Sequence, residues 1–176
     1  MEWIVRNSRA YCLDPDRIIL VGDSAGAQLA SQYATIAGNP AYAAQFEFRV
    51  PPVTIRALGL NCGLYDLAAG AKEARKGKFE DYLGHELNSD DPRLQVLDAI
   101  GPNYPPTFLA TACHDFLRDK AKPRYELLTG RGVSAVMKCY GSEDRREVAH
   151  VFHVNIRLPE ATACNDEECA FFRRYV

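Results

Sequence analysis

Apolar residues fall in four compact runs along the chain, separated by stretches with helical spacing. Trp3, Ile4 and Val5, then Ala10, Tyr11 and Leu13, predict a short amphipathic helix ending before Asp14-Pro15-Asp16, since proline disfavours helix in the residue ahead of it. Arg17-Ile18-Ile19-Leu20-Val21 reads as the first strand. A small-residue helix from Ser24 to about Ala37 follows and stops at Gly38-Asn39-Pro40. Ile55 to Gly63 is a second strand, apolar on both faces as expected where helices cover both sides of a sheet. Thr107 to Cys113 is a third, Lys120 to Thr129 a helix closed by Gly130-Arg131-Gly132, Val133 to Tyr140 a fourth strand, and Pro159 opens a last helix.

Strands alternating with helices predict right-handed βαβ units, and so an α/β fold with a parallel sheet of about four strands flanked by helices. Residues 64–104 interrupt this rhythm and read as a small helical insertion or lid within a single domain spanning 1–176. Its run of Lys72, Glu73, Arg75, Lys76 and Lys78 has the composition of a solvated helix face.

Composition narrows the setting. With 176 residues, 47 % of them hydrophobic, the chain can bury about 70 % of its unfolded surface, enough for one core. The net charge of −2, with signs interspersed, gives no reason to expect a nucleic acid or a membrane as partner. Neither a signal peptide nor an apolar run of membrane-spanning length is present, so a cytoplasmic protein is expected. The six cysteines, Cys12, Cys62, Cys113, Cys139, Cys164 and Cys169, lack the density of a disulfide scaffold and read as reduced thiols. Cys164 and Cys169 near His153 lack a second ligand pair, so neither a metal nor another cofactor is expected.

Chemistry concentrates where the first strand ends. Gly22-Asp23-Ser24-Ala25-Gly26 sits between a β-branched run and an alanine-rich helix, the context of a nucleophile elbow. Ser24 then occupies a strained turn, and side chains at positions 22 and 26 would collide across it. At the helix start the Ala25 N–H points at developing negative charge. The plainer reading is a strand-to-helix loop with Ser24 as its N-cap. In parallel sheets, functional groups gather beyond the carboxyl ends of the strands. That rule selects the loops holding Ser24, His114 to Asp119, and Ser142 to His153. Of the four histidines, His150 is the better base; His153 reads as a surface or capping residue, and His85 and His114 as structural. Asp115 follows the third strand directly and is the favoured acid, with Asp66 the alternative and Asp119 a helix cap.

With those residues placed, the chain resembles the esterase and lipase branch of the α/β-hydrolases related to hormone-sensitive lipase and bacterial acetyl esterases. The stretches that carry the likeness are Asp14-Pro15-Asp16-Arg17-Ile18 with the elbow, Pro105-Pro106-Thr107-Phe108, His114 to Asp119, and His150-Val151-Phe152. The resemblance implies Ser24 as nucleophile, Asp115 as acid and His150 as base in a serine hydrolase of small acyl esters. Members of this branch also carry earlier strands and a glycine-rich loop, often His-Gly-Gly-Gly, that completes the oxyanion hole. This sequence shows neither, so a truncated α/β-hydrolase fold with the Ala25 N–H as remaining donor is expected. The strand at 17–21 would then lie open on one side, and an apolar open edge invites association, as a homo-oligomer or with another polypeptide. An association or binding module without hydrolytic activity is the alternative function.

Overall fold

The computed structural model describes residues 1–74 and 89–176. After a short helix α1 (Glu2–Asn7), the chain runs β1 (Ile18–Asp23), α2 (Ala25–Gly38), α3 (Pro40–Ala43), β2 (Ile55–Asn61), α4 (Leu67–Ala74), β3 (Thr107–Ala112), α5 (Arg118–Gly130), β4 (Ala135–Tyr140) and α6 (Pro159–Phe172), with single 3₁₀ turns at Pro92–Leu94 and Phe152–Val154. The four strands form one parallel sheet in the order β1-β2-β3-β4. The expected α/β architecture is therefore the observed one.

Side chains alternate across a strand, and this turns each continuous apolar run into two buried faces. Ala57, Phe108, Ala110 and Ala112 point to one side and pack with Ala161, Cys164, Phe171 and Phe172 of α6. Leu58, Leu60 and Leu109 point to the other and pack with Ala27 and Ala34 of α2 and Leu128 of α5. Gly59 lets α6 press close: a Cβ there would lie 2.9 Å from the Phe172 ring and would overlap the Glu168 carboxylate. Glu168 is buried in consequence, and its Oε1 accepts a hydrogen bond from Asn61 Nδ2 at 3.1 Å.

Several boundaries differ from expectation. Helix α1 ends at Asn7, whose amide donates to the Trp3 carbonyl at 2.8 Å, and the chain then turns, with Cys12 at φ 53°. Trp3 and Tyr11 meet ring to ring at 5.1 Å but stay exposed, so the amphipathic stretch finds no core to cover. Within 64–104 the described ends belong to the body: Leu67, Leu94 and Val96 pack on Ile36 and Tyr42, and Ile100 and Tyr104 join the α2–α5 face. Arg75, Lys76, Lys78 and His85 lie outside the described residues. At the sheet margin, β1 pairs only with β2 among the described residues, and Val21 is 54 % exposed.

Candidate active site

Ser24 stands between β1 and α2 at φ 53° and ψ −115°, a conformation that side chains rarely adopt. Two backbone features hold it there. The Ser24 N–H donates to the Asn61 carbonyl at 2.9 Å, continuing the β1–β2 ladder one residue past the strand. A Cβ at Gly22 would overlap the carbonyl of Gly26 and lie 2.7 Å from the Ala27 nitrogen, so only glycine lets the helix start fold back over the strand end. Gly26 differs from expectation, because a Cβ there meets nothing within 4 Å; the close approach is to its carbonyl, not to the space its side chain would fill. Ser24 holds the N-cap position of α2, but its side chain makes no capping bond there. Ala25 is the first helical residue, and its N–H is one of the donors that a helix leaves without an internal acceptor.

Asp115 follows β3 in a tight turn, its N–H donating to the Ala112 carbonyl at 3.1 Å. Its carboxylate is fully buried and saturated with donors. Oδ1 accepts from the Leu117 N–H at 3.0 Å and lies 2.7 Å from His150 Nδ1, while Oδ2 accepts from the Thr111 hydroxyl at 2.8 Å. Burial pushes the Asp115 carboxyl up, but the Leu117 N–H, His150, Thr111 and the adjacent Cys62 thiol outweigh it and hold it below its ordinary value. Because an ionised carboxylate only accepts, the proton on His150 sits at Nδ1. Nε2 is thereby left as an acceptor, and it lies 2.9 Å from Ser24 Oγ.

His150 reaches that position on a loop that leaves β4 and returns across the sheet. A single parallel bridge, His114 to Ala149, ties the loop to the end of β3, which explains what His114 does there. The Phe116 ring lies 4.2 Å from the His150 ring, centroid to centroid, and is 76 % exposed, forming a wall beside that imidazole. Asp66, the alternative acid, instead caps α4, its Oδ1 accepting from the Ala69 N–H at 2.8 Å. Asp119 does not cap: α5 begins after Leu117, and Asp119 sits in its first turn. His153 is buried rather than at the surface, with Nδ1 unpaired and its pKa lowered by burial, against the pull of Asp23.

Sequence reasoning missed three neighbours of this cluster: Thr111, Phe116 and Cys62. Thr111 and Phe116 flank Asp115 at fixed offsets, so the strand-end rule carried far enough would have reached them. Cys62 carries no such signal, being one residue past β2 in an apolar run. It is buried at φ 50° with its thiol pushed far above its ordinary value, first by burial and then by Asp115. Among the described residues, Cys62, Asp115 and His150 are the group that could hold a metal, their donor atoms all within 4.8 Å of one another. All six cysteines are free thiols.

A model of the alpha/beta hydrolase fold matches residues 1–154. The chain belongs to the α/β-hydrolase family. Carboxylesterase NlhH of Mycobacterium tuberculosis is 31 % identical over 145 residues, covering 76 % of this chain and 44 % of that protein. Esterase B of Lactobacillus rhamnosis superposes with a TM-score of 0.76 at 20 % identity, over 98 % of this chain and 57 % of its own. An esterase of Pyrobaculum calidifontis gives 0.67 at 22 % identity, again over 98 % and 57 %. This α/β-hydrolase chain thus spans about half the length of the relatives it matches. No helix among its described residues is long and apolar enough to cross a membrane.

Proposed function

We propose that the chain carries the catalytic half of a carboxylesterase acting on small acyl esters, with Ser24 as nucleophile, His150 as general base and Asp115 as the acid that orients it. The observation carrying this reading is the unbroken series Ser24 Oγ, His150 Nε2, His150 Nδ1, Asp115 Oδ1, at 2.9 and 2.7 Å. It is supported by the family and by the esterase activity in the names of its relatives.

In this scheme Ser24 Oγ attacks the acyl carbonyl carbon as His150 Nε2 takes the hydroxyl proton. The imidazolium that forms is stabilised by buried Asp115, and the oxyanion draws on the Ala25 N–H. His150 then gives its proton to the departing alcohol, and water, deprotonated by the same nitrogen, hydrolyses the acyl-enzyme. No cofactor enters the scheme.

The test is hydrolysis of p-nitrophenyl acetate by wild type and Ser24→Ala. A fall of at least about 10⁴-fold from the wild-type rate is expected; equal rates in the two proteins would refute the assignment. A second reading rests on β1, the outer strand among the described residues, where Val21 is 54 % exposed. An open apolar edge favours strand addition by a second copy or another chain. Scattering mass that rises with concentration in wild type and falls in Val21→Lys supports it, and a strictly monomeric wild type refutes it.

A further inference from the structure

Beneath the proposed triad lies a third donor that the hydrolytic scheme leaves idle. Cys62 Sγ, the Asp115 carboxylate and His150 Nδ1 approach one another within 4.8 Å, all from loops at the carboxyl ends of β2, β3 and β4. A thiol, a carboxylate and an imidazole are the mixed donor set that tetrahedral d¹⁰ cations accept, with a fourth position left to solvent. We propose that these three residues form a binding site for a thiophilic divalent cation such as Zn²⁺, and that occupation of the site switches the proposed esterase off.

Charge favours the assembly. Without a cation, a thiolate at Cys62 would face the Asp115 carboxylate in a buried pocket, so the thiol stays protonated. A dication neutralises both anions at once, and a coordinating thiol gives up its proton outright. The backbone N–H of Val151, held at φ 53°, is near enough to the Cys62 sulfur to favour its thiolate, the kind of neighbour that stabilises a bound thiolate. Space is adequate. Zinc bonds of about 2.1 Å to nitrogen and oxygen set those two atoms about 3.4 Å apart in a tetrahedron, so the present 2.7 Å contact must open by less than 1 Å. His150 is the most exposed of the three, with 21 % of its side chain accessible, while Cys62 and Asp115 are buried.

The mode of inhibition follows from proton positions. A cation on Nδ1 displaces the proton there to Nε2, while the Cys62 proton leaves to solvent, one proton released per ion. Nε2 then donates to Ser24 Oγ instead of accepting from it. The nucleophile keeps its neighbour but loses its base.

The inhibitory half rests on the proposed activity, so the deciding experiment reads binding directly. The 176-residue chain titrated with Co²⁺ as a spectroscopic stand-in should show one equivalent bound, with sulfur-to-cobalt charge transfer and the strong visible bands of a tetrahedral centre. Cys62→Ser and Cys62→Ala should abolish both, with thermal melting used to show that at least one is folded. Cys139→Ser, which breaks up the other close thiol pair, Cys113 and Cys139 at 3.9 Å, should leave the spectrum unchanged. A spectrum that survives loss of Cys62, vanishes in Cys139→Ser, or never appears overturns the site. Where ester hydrolysis is measurable, Zn²⁺ should inhibit wild type and spare Cys62→Ser at least tenfold. Cobalt binding without inhibition overturns the switch and leaves the site standing.

Discussion

Thr111→Val isolates the support beneath Asp115. The substitution keeps the shape of a residue that is 2 % exposed and removes the hydroxyl that donates to Asp115 Oδ2 at 2.8 Å. A hydrogen bond to a buried charge contributes about 1.5 to 3 kcal/mol, and no water can replace the donor here. At neutral pH the variant should lose about 2 kcal/mol in urea denaturation. The same loss should raise the Asp115 pKa toward its ordinary value, measured by carbon NMR of its carboxyl. The direction with pH is determined. Asp115 is held below its ordinary value of 3.8, so its stabilising effect is complete above that value and is lost as pH falls through the folded value. The gap between variant and wild type should accordingly shrink in acid. In an Asp115→Ala background Thr111→Val should cost under about 0.5 kcal/mol, because the two residues act as a pair. A variant as stable as wild type at neutral pH, with Asp115 titrating unchanged, would refute the claim that Thr111 holds the carboxylate ionised.

Gly22→Ala should destabilise the chain by about 3 kcal/mol or more, since the new methyl meets backbone and not a movable side chain, whereas Gly26→Ala should be close to neutral or mildly stabilising in its helix; thermal melting compares them. Glu168→Gln should gain stability relative to wild type as pH rises. Burial raises the Glu168 carboxyl above its ordinary 4.5, so wild type is favoured while the group stays protonated and loses that advantage as pH climbs through the folded value; denaturation at pH 4 and pH 8 reads the crossover. Phe116→Ala should alter ester KM more than stability, because an exposed ring against His150 contributes to the site's wall and little to the core; kinetics and melting on one sample separate the two.

The strands and helices were legible because both faces of the sheet are covered, which leaves long apolar runs with sharp polar boundaries, as from Ile55 to Asn61. The Gly22 constraint and the Ser24–His150–Asp115 geometry were also legible, since strand-end loops and chain order narrowed the choice to a few residues. What escaped depended on packing. His153 looked solvent-facing beside a base, but its 3₁₀ turn folds it inward against Phe152. Asp66 and Asp115 have similar local sequence settings, each just beyond a strand; only the direction of the following turn, into the α4 cap or toward His150, separates them. Cys62 became a neighbour of Asp115 through strand adjacency alone, a relation that sequence spacing does not carry.

The return of the β4 loop has a consequence for how the molecule assembles. Ser24 ends the first strand and His150 follows the last, 126 residues apart, and about 14 Å of sheet separates the two strands at 4.8 Å per step. Their 2.9 Å contact therefore depends on both outer strands being joined to the sheet and on the loop that the His114–Ala149 bridge ties down. In a refolding chain the hydrogen bond between them is a completion signal: it reports a sheet whose two outer strands are both in place.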